Sequence, residues 1–422
     1  MKVSIFGLGY VGLTSAACSL REGHQVVGVD VSNGKVDAIN NGECPIFEPG
    51  LPELIAEGQR SGNLTASTKI GEHIAYDDIA IVCVGTPSLA NGSHNMTYIA
   101  EVTRQLAEAL AKVSRAGGPL AIVYRSTIRP GTLEKLIKPI MERYLKGEGT
   151  KYELVYNPEF LRESTAIKDY FSPPKIVIGT ESGEPSKAVD ELYKNIDAPR
   201  FYTRFAEAEM TKFVDNTFHA VKVAFANEIG RVAQKLGVSA SKIHEIFIAD
   251  TKLNISPYYL RPGGAFGGSC LPKDVRALIN LSGEGGANTH LIDSLMRSND
   301  DHKRFLFDTA CSGLKSNAKI LLNGIAFKAN SDDLRESPLL DMAERIVREG
   351  YSLEIFDPNV KIENLRGANL GYTLAMFPSL ADFVVNDKEL PGRHYDLIID
   401  GRGNADSLDV TAERIFDATK LA

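Results

Sequence analysis

Apolar and polar residues alternate along this chain at two periods, and the switches between them mark three stretches. In the first, short apolar runs at residues 2–6, 25–30, 78–84, 120–124, 153–156 and 175–178 predict strands. Between several of them apolar residues recur at helical spacing, as at residues 98–113. Strands alternating with helices predict a parallel sheet covered on both faces. In the second stretch, residues 205–236 contain no proline and one glycine, Gly230, and Phe213, Thr217, Ala220 and Ala224 fall on one helical stripe. That predicts one long helix, followed by a Pro/Gly-rich patch at residues 256–272. In the third, the first pattern returns, with strands predicted at 318–323, 352–356 and 396–399 and a helix at 337–349. A chain of 422 residues is too long for one core. The pattern gives an α/β protein: two doubly wound domains joined by a long central helix and a small helical domain. The boundaries fall at residues 1–202, 203–300 and 301–422.

Charge and cysteine content narrow the classes of partner. The net charge of −7 argues against nucleic acid or a membrane surface as a general partner, which would call for a basic face. No stretch reaches the roughly 20 apolar residues that cross a bilayer. The five cysteines, Cys18, Cys44, Cys83, Cys270 and Cys311, are odd in number and form no C-x-x-C pair. No signal peptide is read before the first strand, so a reduced, cytoplasmic protein without disulfides is expected. The eight histidines are scattered, and no metal is expected.

Gly7-Leu8-Gly9-Tyr10-Val11-Gly12 follows the first strand and opens a helix. Gly7 permits a tight turn, Gly9 a close backbone approach to a pyrophosphate, and Gly12 close packing of helix on strand. Backbone N–H groups at Tyr10 and Val11 then face the phosphates. Asp30 ends the second strand, 18 residues after Gly12. A carboxylate there accepts from both ribose hydroxyls and repels a 2′-phosphate, so NAD is favoured over NADP. Lys35 nearby pulls the other way. Both α/β domains are therefore expected to be Rossmann-like. Thr86, in Val84-Gly85-Thr86-Pro87, and Thr127, in Arg125-Ser126-Thr127, end further strands at the same sheet edge, where ligands bind. Ordinary turn chemistry explains either loop as well.

Cys270 lies in Gly267-Gly268-Ser269-Cys270-Leu271-Pro272-Lys273-Asp274, a polar, Gly-rich loop beside a cation, Lys273. Such a setting suits a nucleophilic thiolate, whereas Cys18 and Cys83 are read as core. This loop resembles the active-cysteine loop of the UDP-glucose/GDP-mannose dehydrogenase family. Residues 7–12, 84–87, 157–163, 209–228 and 327–338 resemble the family's other blocks, in the family's order. Together they span nearly the whole chain.

The resemblance implies an NAD-dependent, four-electron oxidation of a sugar-nucleotide C6 alcohol to a carboxylate. Cys270 would hold the aldehyde as a thiohemiacetal and then carry a thioester, which water cleaves. Lys212 and Asn216, four apart on the predicted helix, would hold and polarise the C6 oxygen or a water. Without the family they would read as an exposed helical face. Asp274 would orient the water or assist proton transfer, although an aspartate there also suits a helix N-cap. Glu159 is implied as general base and Glu163 as a carboxylate near the nicotinamide. Which of them moves the proton stays open, and either could be a surface loop charge. Leu161 and Arg162 are implied to contact substrate, as is Lys328 in the 327–338 block. Lys273 and Arg335 are implied to lie near the cofactor.

Residues 252–263, with Asn254, Tyr258, Tyr259 and Arg261, look like the GDP-mannose branch of the family, as do Leu271 and Asn216-Thr217-Phe218-His219. His219 and these four would then contact the nucleotide sugar, Arg261 through a phosphate. UDP-glucose or a UDP-N-acetylhexosamine is the alternative substrate. A two-electron dehydrogenase would leave the Cys270 block unexplained. A non-catalytic sensor would be expected to have lost Cys270, Lys212 or Asn216. Asn330-Ser331, where Gly-Thr is common, and residues 92–96, which lack an acidic residue, depart from the family pattern. A homodimer or dimer-based assembly is implied, with the long helix at its interface and Arg261 a candidate to reach across it.

Overall fold

A computed structural model describes residues 1–46, 48–87, 89–90, 93–115, 117–146, 151–162, 164–256, 263–268, 270–328, 331–365 and 367–420. It divides into two compact units, Met1–His219 and Ala220–Ala422.

The first unit is built on eight strands: β1 (Lys2–Phe6), β2 (Gln25–Val29), β3 (Leu64–Ser67), β4 (Ile79–Val82), β5 (Leu120–Tyr124), β6 (Tyr152–Tyr156), β7 (Ile176–Thr180) and β8 (Arg200–Arg204). Their order is β3-β2-β1-β4-β5-β6-β7-β8. Neighbours run parallel, except that β6 and β7 meet antiparallel at Tyr156 and Gly179. The helices are α1 (Tyr10–Arg21), α2 (Asn33–Asn40), α3 (Leu51–Arg60), α4 (Thr97–Ala111), α5 (Lys138–Leu145), α6 (Ala166–Phe171) and α7 (Lys187–Leu192).

Strand β5 shows why the pattern was readable. All five of its residues are buried. Leu120, Ile122 and Tyr124 join the apolar cluster that holds Leu106 and Met141, while Ala121 and Val123 join the one that holds Leu13 and Ile55. Side chains of a strand alternate between faces, and a strand covered on both reads as an unbroken apolar run. The strands β3 and β8 were not predicted. Both lie at sheet edges, and their sequences, Leu-Thr-Ala-Ser and Arg-Phe-Tyr-Thr-Arg, contain no such run. The arginines at the two ends of β8 suit an edge that must not recruit another strand.

Helix α8 (Phe205–Lys235) has 31 residues and ends one residue before the predicted 236. The second unit continues with α9 (Ala240–Ala249), α10 (Leu271–Glu284) and α11 (His290–Cys311). Its strands are β9 (Lys319–Asn323), β10 (Ser352–Phe356), β11 (Arg393–Tyr395), β12 (Leu397–Asp400), β13 (Val410–Ala412) and β14 (Ile415–Asp417), with helices α12 (Pro338–Arg348) and α13 (Gly367–Met376). A parallel sheet runs β10-β9-β12-β14, and β11 pairs with β13. Leu306 and Ala310 of α11 pack with Ile320 and Leu322 of β9 in its core.

One turn is built twice. Gly7 follows β1 with φ +91°, and Gly324 follows β9 with φ +92°. Gly7 N–H donates to the Val29 carbonyl at 2.8 Å, and Gly324 N–H to the Phe356 carbonyl at 2.7 Å. Leu8 N–H then donates to Asp30 Oδ2 at 2.7 Å, and Ile325 N–H to Asp357 Oδ2 at 2.9 Å. Asp357 is buried and ion-paired with Arg402. Asp30 is ion-paired with Lys35 Nζ, at 3.4 Å.

Candidate active site

The carboxyl edge of the first sheet carries the glycine turn. A side chain on Gly12 would sit 1.9 Å from the Gly7 carbonyl oxygen, so only glycine lets α1 pack this closely on the turn. A Cβ built on Gly9 meets nothing within 4 Å, which leaves open space where the backbone bends. Gly9 is the N-cap of α1, and no side chain caps that end. The amides of the first turn, at Tyr10 and Val11, thus open an electropositive helix end toward that space. Asp30 lies at the end of β2, 9% exposed, and its Oδ1 accepts from Ser32 N–H at 2.9 Å. Lys35 leans back onto Asp30. A pyrophosphate at the bare helix end and a ribose at Asp30 fit this arrangement, as NAD requires. Thr86 and Thr127 are joined directly, Thr86 Oγ1 donating to the Thr127 carbonyl at 2.8 Å, and Ser126 Oγ ties the same two loops through the Val84 carbonyl at 2.6 Å.

Glu159 and Lys212 meet in the first unit. Lys212 Nζ lies 2.9 Å from Glu159 Oε1 and donates to the Glu159 carbonyl at 2.7 Å. Both side chains are nearly enclosed, 10% and 13% exposed, with the Phe160 ring beneath the ammonium. Glu159 Oε2 accepts from Leu161 N–H at 2.7 Å. Lys212 is therefore no surface lysine, whereas Asn216, one turn further along α8, and His219 are exposed. Arg162 is exposed but clamped by Asp169, which accepts from its backbone N–H and from its Nε at 3.0 Å each and from Nη2 at 2.7 Å.

In the second unit, Cys270 immediately precedes α10, and its carbonyl accepts the first helical bond, from Asp274 N–H at 2.9 Å. Its sulfur thus belongs to a residue at an electropositive helix end, a setting that suits negative charge. The glycines before it are forced by packing. A Cβ on Gly267 would lie 2.2 Å from the Glu336 carbonyl oxygen, and one on Gly268, at φ +82°, 2.7 Å from the Phe327 ring. The cysteine loop and the 327–338 block are therefore pressed together. Lys273 is exposed and pairs with Asp274 at 3.3 Å. Arg335, held mainly by Asp333 at 2.7 Å, also feels the charge of Cys270, and both raise its pKa. Lys328 Nζ lies 6.0 Å from the centre of the Phe327 ring. Asn254 donates to the Phe247 carbonyl at 3.2 Å. Glu163, Tyr258, Tyr259 and Arg261 lie outside the described residues.

Two of the buried carboxylates that the sequence does not single out, Glu209 and Glu48, fix loops of the first unit. Glu209 of α8 is fully buried and accepts from Gly131 N–H at 2.5 Å and Leu133 N–H at 2.9 Å, so it fixes the loop after Thr127. Burial raises its pKa against those bonds. Glu48 accepts from Tyr10, Ser164 and Ala166. Nothing in the sequence marks either as buried, although Pro49-Gly50 after Glu48 announces a turn.

The chain is similar to known proteins over nearly its whole length. The NAD binding domain of the UDP-glucose/GDP-mannose dehydrogenase family matches residues 1–197, its central domain residues 206–301 and its UDP binding domain residues 321–386. A GDP-mannose 6-dehydrogenase of Pseudomonas syringae pv. syringae is 44% identical over 95% of this chain and 91% of its own length. A UDP-glucose 6-dehydrogenase of Bacillus subtilis strain 168 is 33% identical over 85% of this chain and 76% of its own. The crystal structure of a ternary complex of GDP-mannose dehydrogenase from Pseudomonas aeruginosa superposes with a TM-score of 0.88, at 39% identity, covering 98% of this chain and 96% of that one. With its glycine turn, its cysteine loop and all three domains of one family matched in order, the chain belongs to the UDP-glucose/GDP-mannose dehydrogenases and is an NAD-dependent oxidoreductase.

Proposed function

We propose that this protein oxidises GDP-mannose at C6 to GDP-mannuronate through a covalent intermediate on Cys270. The observation that carries the mechanism is the placement of Cys270 at the head of α10, pressed by two obligatory glycines against the 327–338 block. The choice of sugar nucleotide rests on the higher identity to the GDP-mannose enzyme than to the UDP-glucose enzyme. The division into an NAD-binding domain (1–202), a central helical dimerisation domain (203–300) and a C-terminal nucleotide-sugar domain (301–422) belongs to the same proposal.

NAD, held at the glycine turn and Asp30, would supply the hydride acceptor, one molecule for each of the two oxidations. Lys212 and Asn216 donate hydrogen bonds to the C6 oxygen, and Glu159 takes its proton as the alcohol becomes an aldehyde. Cys270 Sγ then adds to the aldehyde carbon, which retains the reactive carbonyl and supplies the alkoxide for the second oxidation. Asp274 orients the water that cleaves the resulting thioester, and the sulfur leaves as thiolate. Leu161, Arg162, His219, Asn254, Tyr258, Tyr259, Arg261 and Lys328 are the proposed substrate contacts. Glu163, Lys273 and Arg335 are proposed to lie near the cofactor. A reactive thiol suits the reducing cytoplasm, and none of the five cysteines is in a disulfide. A second copy of the chain is the proposed cover for Val214, Phe218, Val221, Ile243, Ile246 and Phe247, apolar residues of α8 and α9 left exposed.

The test is NADH released per sugar nucleotide consumed, with GDP-mannose and UDP-glucose run in parallel. Two NADH per GDP-mannose, with UDP-glucose inert, is expected. Two per UDP-glucose would overturn the substrate and keep the chemistry, while one per turnover would overturn the role of Cys270. Asp30→Ala removes a charged acceptor from the ribose, and a hydrogen bond to a charged group contributes about 2 kcal/mol. The KM for NAD is therefore expected to rise roughly 30-fold while that for NADP changes little. An equal rise for both coenzymes would refute the ribose contact.

A further inference from the structure

Glu48 is 2% exposed and sits on no strand or helix of the sheet edge. A buried carboxylate needs several donors, and it has three from segments far apart in the chain. Tyr10 OH donates to Oε2 at 2.6 Å, Ser164 N–H to Oε2 at 2.8 Å and Ala166 N–H to Oε1 at 2.9 Å. Burial alone would raise its pKa, and these hydrogen bonds bring it below the ordinary glutamate value. Tyr10 is the first helical residue after Gly9, with its amide in the electropositive turn. Its hydroxyl also reaches the Arg162 carbonyl at 3.2 Å. Ser164 holds φ at +70°, a left-handed conformation that a serine keeps only when its surroundings impose it. The Glu48 bond to its amide is part of that imposition.

We propose that Glu48 is a positioning residue that couples occupancy of the dinucleotide turn to the setting of the loop from Glu159 to Ala166, with the Tyr10 side chain as the link. The inference rests on the dehydrogenase reading above and extends it. Tyr10 has its backbone where the phosphates bind and its hydroxyl on the carboxylate that holds the loop. A ligand that settles the turn settles Tyr10, and through Glu48 it settles the amides of Ser164 and Ala166. The coupling is reciprocal, so a fixed loop also favours the coenzyme. The loop begins at Glu159, whose carboxylate holds Lys212, so the order of events at the reacting carbon depends on this tie.

The test is hydrogen exchange at the Ser164 and Ala166 amides, with and without NAD, in the full-length protein and in Glu48→Gln and Tyr10→Phe. Glutamine keeps the shape of Glu48 but turns an NH2 toward an amide donor, and phenylalanine removes only the hydroxyl. In the parent, NAD is expected to slow exchange at these amides at least tenfold. In both variants, with NAD raised to saturation as judged by calorimetry, the ratio of rates with and without it falls to within twofold of unity. A merely structural role for Glu48 would speed exchange equally in both conditions and keep the parental ratio, and that result overturns the proposal. So does a parent that binds NAD without slowing, which leaves the dehydrogenase reading intact. A parent that binds no NAD overturns that reading and the coupling with it.

Discussion

Cys270→Ser is expected to abolish carboxylate formation, with kcat for net oxidation falling about a thousandfold or more, roughly 4 kcal/mol of barrier. Serine fills the same place at the head of α10, so the loop, its glycine contacts and the fold are retained. What changes is the nucleophile. A hydroxyl at neutral pH is a far weaker nucleophile than a thiolate unless a base activates it. The first oxidation does not need the sulfur, so single-turnover NADH from enzyme in excess is expected to persist at up to one per sugar nucleotide. NADH absorbance at stoichiometric enzyme, with mass spectrometry of the sugar product, separates the two stages. Parental amounts of carboxylate from the serine variant would end the covalent mechanism.

Lys212→Met is expected to act on rate and stability together. Loss of an oxyanion donor lowers kcat by about a hundred- to a thousandfold. Lys212 and Glu159 are also a nearly enclosed ion pair, and removing one partner of a buried pair costs about 3 kcal/mol or more. Among the described residues, the Glu159 carboxylate would be left with Leu161 N–H as its hydrogen-bond donor. The second variant needed is Glu159→Gln combined with Lys212→Met. It removes the stranded charge, so the denaturation midpoint is expected to recover most of its loss while activity stays low. Recovery of activity with stability would mean that the lysine only balances charge and that Glu159 is not the base.

The parts of this molecule that were legible in the sequence are those whose physics is local. A strand covered on both faces must be apolar throughout, as β5 is, and a phosphate-binding turn must have glycine where backbones touch, as at Gly7 and Gly12. Pro272 stands at the second position of α10, where proline is tolerated, yet its Pro/Gly-rich surroundings read as a patch and not as a helix start. Asp274 turns out to lie in that first turn, which its type also allowed. What stayed hidden depends on distant donors. Glu48 is bound by groups 38, 116 and 118 residues away, and a glutamate seen alone reads as solvated. Lys212 reads as a surface residue for the same reason, because the Glu159 carboxylate and the Phe160 ring that enclose it come from another segment. The antiparallel meeting of β6 and β7 carries no sequence mark, because a buried strand is equally apolar in either direction.

The turn that occurs twice bears on how many dinucleotides one chain can take. After β1 the carboxylate of Asp30 stands ready for a diol. After β9 the equivalent carboxylate, Asp357, already holds a guanidinium from its own chain, that of Arg402. A diol seeking Asp357 would have to displace Arg402, which is 12% exposed, whereas one seeking Asp30 meets only the looser contact of Lys35, at 3.4 Å and 37% exposed. If Asp30 offers the one ribose seat for a coenzyme, the two hydride acceptors of the proposed reaction would use it in turn.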